Sequence, residues 1–247
     1  MKRRLFLAAP ALLLARPGAA QDAAWFDQWE AVLRRHVNAR GQVDFAGIAA
    51  APDALAEVVA TVGRFGPPAG PAAALAHHIN AYNALAMYGI VLRGIPQALS
   101  FTGRFGFFVN TTVIVAGQRT SLKSYEDDVI RRIGEERVHF ALNCMVRGCP
   151  RLPREAFRAA RLEAQLAAAA REFCESPYHV RPNPPDRSVQ VSQIFEFFTG
   201  DFVPAKAPSL IAYLNLWRRE KFPADWRVHF FPYDWTVNRQ AGGDASG

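Results

Sequence analysis

Cysteine is scarce in this chain. Three thiols in 247 residues make no disulfide framework, so the hydrophobic core must hold the fold together. Half of the residues are hydrophobic, enough for one large domain or two small ones. Beyond residue 20 runs of basic residues are missing too, as is any interleaving of basic and aromatic side chains. Nucleic acid is therefore not expected as a partner. Beyond residue 20 no stretch is long and apolar enough to cross a bilayer, so the mature chain is expected to have no transmembrane segment. No internal repeat is visible.

The positive charge is unevenly spread. Lys2, Arg3, Arg4 and Arg16 supply four of the seven net charges. They surround a short apolar run over residues 5–15, and Gly18-Ala19-Ala20 precedes Gln21. A charged start, a short apolar stretch and small residues make a removable signal peptide over residues 1–20. Arg3-Arg4-Leu5-Phe6-Leu7 suits the twin-arginine route, and the Sec route also accepts such a start. The expected location is the periplasm or the exterior. No cysteine stands near the cleavage site, which argues against a lipoprotein.

In the mature chain, residues 25–37 have helical spacing of apolar side chains, and residues 52–63 suggest a second helix. Residues 72–93 are apolar nearly all round, so this helix is expected in the core. His77, Asn80 and Asn83 recur along it at every third position, with Tyr82 beside them. Such a stripe either bonds neighbouring backbone or faces a cavity. Residues 105–110 and 112–116 suggest strands. Ser121 can cap a helix over residues 122–133 that carries Glu126. A hairpin is expected at 178–191, a last strand at 227–231, and a disordered tail from Gln240. Helices and short strands mix without regular alternation, so the class is α+β. A single domain over residues 21–239 is expected, with the buried helix packed on a small, mainly antiparallel sheet.

The most informative stretch is 137–152. Val138, Phe140 and Leu142 alternate with His139, Ala141 and Asn143, which predicts a strand with His139 and Asn143 on one face. A turn with Cys144, Gly148, Cys149 and Pro150 follows.

These motifs resemble the domain of unknown function 547 (DUF547) family. The resemblance rests on Ile79-Asn80-Ala81-Tyr82-Asn83-Ala84, on Ser121-Leu122 with Glu126 and Arg131, and on 138–144 followed by Gly148-Cys149-Pro150-Arg151-Leu152. Ser192-Gln193-Ile194-Phe195, Asp201-Phe202 and Tyr233-Asp234-Trp235 continue it. His77-His78 stand where the family usually has an aromatic pair, and Asp127 stands where a His often follows the Glu. The resemblance names no reaction.

The residue types suggest thiol chemistry. Cys144 is the candidate nucleophile, because a thiolate attacks carbonyl carbon well once its pKa is lowered. His139 is the candidate base, with Glu126 or Asn143 to orient it. His139 and Cys144 meet only if the chain turns at Asn143 and Cys144. His77, Asn80, Tyr82 and Asn83 are candidate substrate contacts, with Asn80 a donor to an oxyanion. Papain and transglutaminase folds offer a loose analogy. Cys144 can instead form a disulfide with Cys149, or be an inert buried thiol. The spacing of His139, Cys144 and Cys149 matches no common zinc pattern, so neither metal nor cofactor is expected. Two functions remain open. One is an exported hydrolase or acyltransferase. The other is a binding or scaffold domain for a peptide, a glycan or a small molecule.

Overall fold

The first three helices build a platform. In the computed structural model, which describes residues 17–241, α1 spans Pro17–His36, α2 Phe45–Ala50 and α3 Asp53–Arg64. Trp25, Phe26, Trp29, Val32 and Leu33 of α1 are buried, as the helical spacing requires. Asp44 starts α2 by accepting the Gly47 N–H at 2.8 Å. Residues 1–16 of the expected signal peptide and 242–247 of the expected tail lie outside the described residues. Gln240, where the tail was expected to begin, is hydrogen-bonded to Val43 at 3.0 Å through its backbone.

Helix α4, Pro71–Leu92, is the centre. Every side chain from Leu75 to Met87 is buried. Pro71 sits in its first turn, where no N–H is needed. It packs against α1, α2, α3 and the helix after residue 121. The principal neighbours of the buried helix are thus other helices, and the sheets lie elsewhere.

Residues 105–110 depart from the expected strand. Helix α5, Phe101–Phe105, runs straight into a π-helical turn, Gly106–Asn110. A short apolar run does not by itself separate strand from helix. Here the Ser100 hydroxyl accepts the Gly103 N–H at 3.1 Å and starts a helix. Only Phe107 of the run is fully buried, with Phe105 and Val109 exposed.

Strands β1, Thr112–Val115, and β2, Gln118–Ser121, pair antiparallel. Ser121 then caps α6, Leu122–Ser124, which continues through a π-helical turn, Tyr125–Ile130, and a 3₁₀ turn, Arg131–Ile133. After the central loop come α7, Leu162–Glu175, and the hairpin of β3, Val180–Asn183, with β4, Ser188–Ser192. Short helices α8, Ile194–Phe197, and α9, Thr199–Phe202, precede α10, Leu210–Trp217. Strand β5, Arg227–Phe231, joins β4 in parallel. The class is α+β, as expected, with two small sheets.

The expected strand at 138–142 is a 3₁₀ helix, Glu136–Phe140, followed by a loop. No neighbouring strand is at hand to pair with it, so an extended chain would leave buried N–H groups empty. The tighter turn satisfies them locally: Val138 N–H bonds Glu135 C=O at 3.2 Å, and Ala141 N–H bonds Val138 C=O at 2.9 Å. His139 and Asn143 therefore do not share a strand face. Among the described residues no helix is long and apolar enough to cross a membrane.

Candidate functional site

The loop carrying the two thiols is clamped from two sides. From α4, Asn83 donates to Ala141 C=O at 3.0 Å and accepts the Asn143 N–H at 2.7 Å. Asn143 then holds the turn itself, accepting from Met145 N–H at 2.7 Å and donating to Pro150 C=O at 2.7 Å. This supports Met145 in the left-handed region, at φ +68°. On the other side runs the C-terminal strap, residues 233–240. Arg147 N–H bonds Thr236 C=O and Gly148 N–H bonds Asp234 C=O, both at 2.8 Å. A β-carbon on Gly148 would lie 2.7 Å from the Tyr233 ring, so only glycine lets that ring close over the loop.

Those clamps decide where the sulfurs lie. Cys144 and Cys149 are buried free thiols with Sγ atoms 2.9 Å apart. Three donors converge on the Cys149 sulfur: the Cys144 N–H at 3.1 Å, the Tyr233 O–H at 3.3 Å and the Cys144 thiol. Burial pushes the Cys149 thiol up, but these donations outweigh it and hold its pKa below the ordinary value. Cys144 moves the other way. Its hydrogen bond to Cys149, burial and the neighbouring negative charges raise it well above that value. Cys144 was the sequence's candidate nucleophile; of the two thiols it is Cys149 whose pKa the surroundings lower.

His139 has a different partner from the two expected. Its Nε2 lies 2.7 Å from Asp201 Oδ2. Arg131 grips the same carboxylate through Nε at 2.8 Å and Nη2 at 3.0 Å. Hydrogen bonding from His139, then from Arg131, holds the Asp201 carboxyl far below the usual range, so it stays ionised. The imidazole stacks on Phe198 with ring centroids 4.0 Å apart. The hydrogen bond of the imidazole goes to Asp201, and Glu126 interacts with His139 through charge alone. Asp201 follows a Phe-Phe-Thr-Gly run in a short helix 62 residues downstream, and its role was not legible from spacing. Its only signal was its place in the Asp201-Phe202 motif.

Glu126 accepts from the Tyr82 hydroxyl at 3.0 Å. Burial raises its pKa, opposed by His139 and by the Tyr82 hydrogen bond. Tyr82, Glu126, His139, Cys144, Cys149 and Tyr233 all line one cavity of about 840 Å³. Its wall is otherwise largely aromatic, with Phe108, Phe197, Phe198 and Trp235. Cys149 also borders a second cavity of about 580 Å³, shared with Arg147, Arg151 and His179.

Three of the expected substrate contacts are elsewhere. Asn80 is tied to Phe157, donating to its C=O at 2.8 Å and accepting its N–H at 3.0 Å, so it is not free to face an oxyanion. Asn83 serves the loop as described. His77 packs edge-on against Trp25 and His78, and both of its ring nitrogens are buried without a hydrogen bond. Of the four, Tyr82 alone reaches the cavity.

Burial, with a smaller push from His78, lowers the His77 pKa to about 4 from 6.5. As pH falls from 6.5 towards 4 the unfolded chain takes this proton and the folded chain does not. Stability attached to His77 is thus complete above pH 6.5 and is lost on acidification. His77→Phe should stabilise the protein by about 1–3 kcal/mol, the cost of a buried unpaired polar group. It should also flatten the acid side of the stability curve. Thermal melts at pH 7.5 and 4.5 check this. An equal acid loss in both proteins would refute it.

Residues 70–174 match the model of a family described as protein of unknown function, DUF547. The match includes Tyr82, Glu126, His139, Cys144 and Cys149, whereas Asp201, Tyr233 and Trp235 lie beyond it. No curated protein and no solved structure matches the chain.

Proposed function

We propose that this chain, whose residues 70–174 belong to the DUF547 family, is a thiol-dependent hydrolase or acyltransferase acting on an apolar acyl group. The observation that carries the reading is the convergence of three donors on Cys149 in the same cavity as the His139–Asp201 pair. The Cys149 thiolate attacks the acyl carbon, and the bond to the leaving group breaks. The leaving group takes a proton from Glu126, which burial holds towards its protonated form. A thioester on Cys149 results. Asp201 accepts the His139 Nε2–H, which leaves Nδ1 as the base for a water or an acceptor. That nucleophile gives its proton to Nδ1 and takes the acyl group, and Cys149 leaves again as thiolate. The proton then returns to Glu126. The water or acceptor stands in the aromatic cavity, which Cys149, His139 and Glu126 line together.

The test is direct. The full chain is mixed with p-nitrophenyl esters of acetate, octanoate and benzoate, and quenched samples are weighed intact and mapped by peptide. An acyl adduct on Cys149 that is lost in Cys149→Ser supports the reading. Adducts on no cysteine, or on Cys144 alone, would sink it.

A second reading rests on the 2.9 Å between the sulfurs. In an oxidising compartment the pair can close a disulfide, and the domain is then a binding or scaffold module for a peptide or glycan. A chain isolated two hydrogens lighter, unreactive to every ester, would favour it. Export itself is part of the proposal, on the strength of the charged start and short apolar run at the N-terminus. Intact mass of protein from the cell envelope tests it, with a species still starting at Met1 as the contrary result.

A further inference from the structure

The wall of the main cavity holds a cation with no counter-charge. Arg104 lies in α5, half-buried, with its guanidinium 4.5 Å from the Trp235 ring and 5.4 Å from the Phe101 ring. Its Nε is buried without a hydrogen-bond partner. Among the described residues no carboxylate pairs with it. Lys123, the other cation of the cavity wall, is by contrast taken by Asp127. An arginine whose Nε is out of water and empty is a donor waiting for an acceptor, since such burial is costly until it is filled.

Its position gives the acceptor a shape. Trp235 and Tyr233 lie side by side, with ring centroids 4.8 Å apart, and Tyr233 in turn touches the Cys149 sulfur. Two aromatic rings therefore pave the way from the thiol to the guanidinium. Around the mouth, Phe101 and Phe105 are 81% and 58% exposed. Large aromatic side chains left in water around a cavity mark a surface that meets apolar material.

We propose that Arg104 binds a carboxylate at one end of an apolar ligand whose body lies along Trp235 and Tyr233 towards Cys149. The inference rests on the thiol reading of the site, and it names the substrate class: an apolar acyl compound with a single negative charge remote from the reacting carbonyl. A single charge fits better than a phosphate dianion, because Asp127 and the Cys149 thiolate of the thiol reading already bring negative charge to the same cavity. The planar guanidinium over Trp235 can hold its stacking and still present its edge to a carboxylate, which a lysine would do less well.

The experiment uses unreactive probes, so it does not depend on turnover. Binding of decanoate, decan-1-ol and decyltrimethylammonium to the full chain is measured by calorimetry, for wild type, Arg104→Gln and Arg104→Lys. Decanoate should bind wild type roughly tenfold or more tightly than decanol, the size of one charge-assisted hydrogen bond. Arg104→Gln should bring the two to parity and leave decanol unchanged, which also shows that the variant is folded. Arg104→Lys should recover part of the preference, and the cationic probe should gain on Arg104→Gln. Equal binding of decanoate and decanol to wild type, no binding of either, or a preference that survives Arg104→Gln would overturn the proposal. The two readings fail separately. Acylation of Cys149 that ignores Arg104 keeps the thiol reading and discards this one, whereas Arg104-dependent decanoate binding without acylation does the reverse.

Discussion

Asn83→Ala should lower stability by about 2–5 kcal/mol and loosen the thiol loop before it unfolds anything else. The variant removes two buried hydrogen bonds at once, to Ala141 C=O and from Asn143 N–H. Each abandoned backbone group costs about 1–3 kcal/mol when it stays dry. A small cavity in the tightly packed α4 adds to the loss. The same two bonds hold residues 141–143, so the damage is local first. Urea denaturation gives the stability, and hydrogen exchange at Asn143 and Met145 gives the locality. Asn83→Asp is the companion variant: it keeps the acceptor for Asn143 N–H, loses the donor to Ala141, and buries a charge. A loss below about 0.5 kcal/mol, typical of a surface change, would mean that the loop is not hung from α4.

Much of this arrangement was visible in the sequence. The core position of α4 follows from a segment that is apolar all round. The hairpin of β3 and β4, the last strand and the Ser121 cap follow from turn residues and spacing. Asn80 and Asn83 illustrate the limit. An amide on a buried helix must bond something, and the pattern left both backbone and cavity open. Both side chains hold backbone. His139 marks a second limit. Alternation over 138–142 suggested a strand, but a strand needs a neighbour, and pairing is a property of the whole fold. The 3₁₀ turn keeps His139 buried by another route. Asp201, Tyr233 and Trp235 come from 62 to 96 positions beyond His139, and nothing in local spacing points from one to the other. Tertiary closure brings them in, Asp201 on α9 and the two aromatic residues on the strap that pairs with Arg147 and Gly148.

The strap also sets the reactivity of the thiols, and the second large effect follows from it. Brief exposure to iodoacetamide at pH 7.5 should alkylate Cys149 at least about tenfold faster than Cys144, because the thiolate is the reacting form and the surroundings lower the pKa of Cys149 while they raise that of Cys144. Cys174 should stay unmodified, being fully buried on α7 with its pKa raised by that burial. Peptide mapping separates the three. The midpoint of the Cys149 pH–rate profile should fall below about 8.5, the value of a free thiol. Tyr233→Phe keeps the ring against Gly148 and removes only the hydroxyl that donates to Cys149. A hydrogen bond to a charged group is worth about 1.5–3 kcal/mol, so the midpoint should rise by roughly one unit or more. Cys144→Ala removes another donor and should raise it again, whereas Cys144→Ser, which keeps a donor in place, should move it less. The directions are tied together: every change that takes a donor from Cys149 must raise the midpoint, and none may lower it. Faster labelling of Cys144, or a midpoint unmoved in Tyr233→Phe, would break the assignment of the nucleophile to Cys149. Labelling that appears only after a reductant is added would instead place the pair as a closed disulfide and favour the binding module.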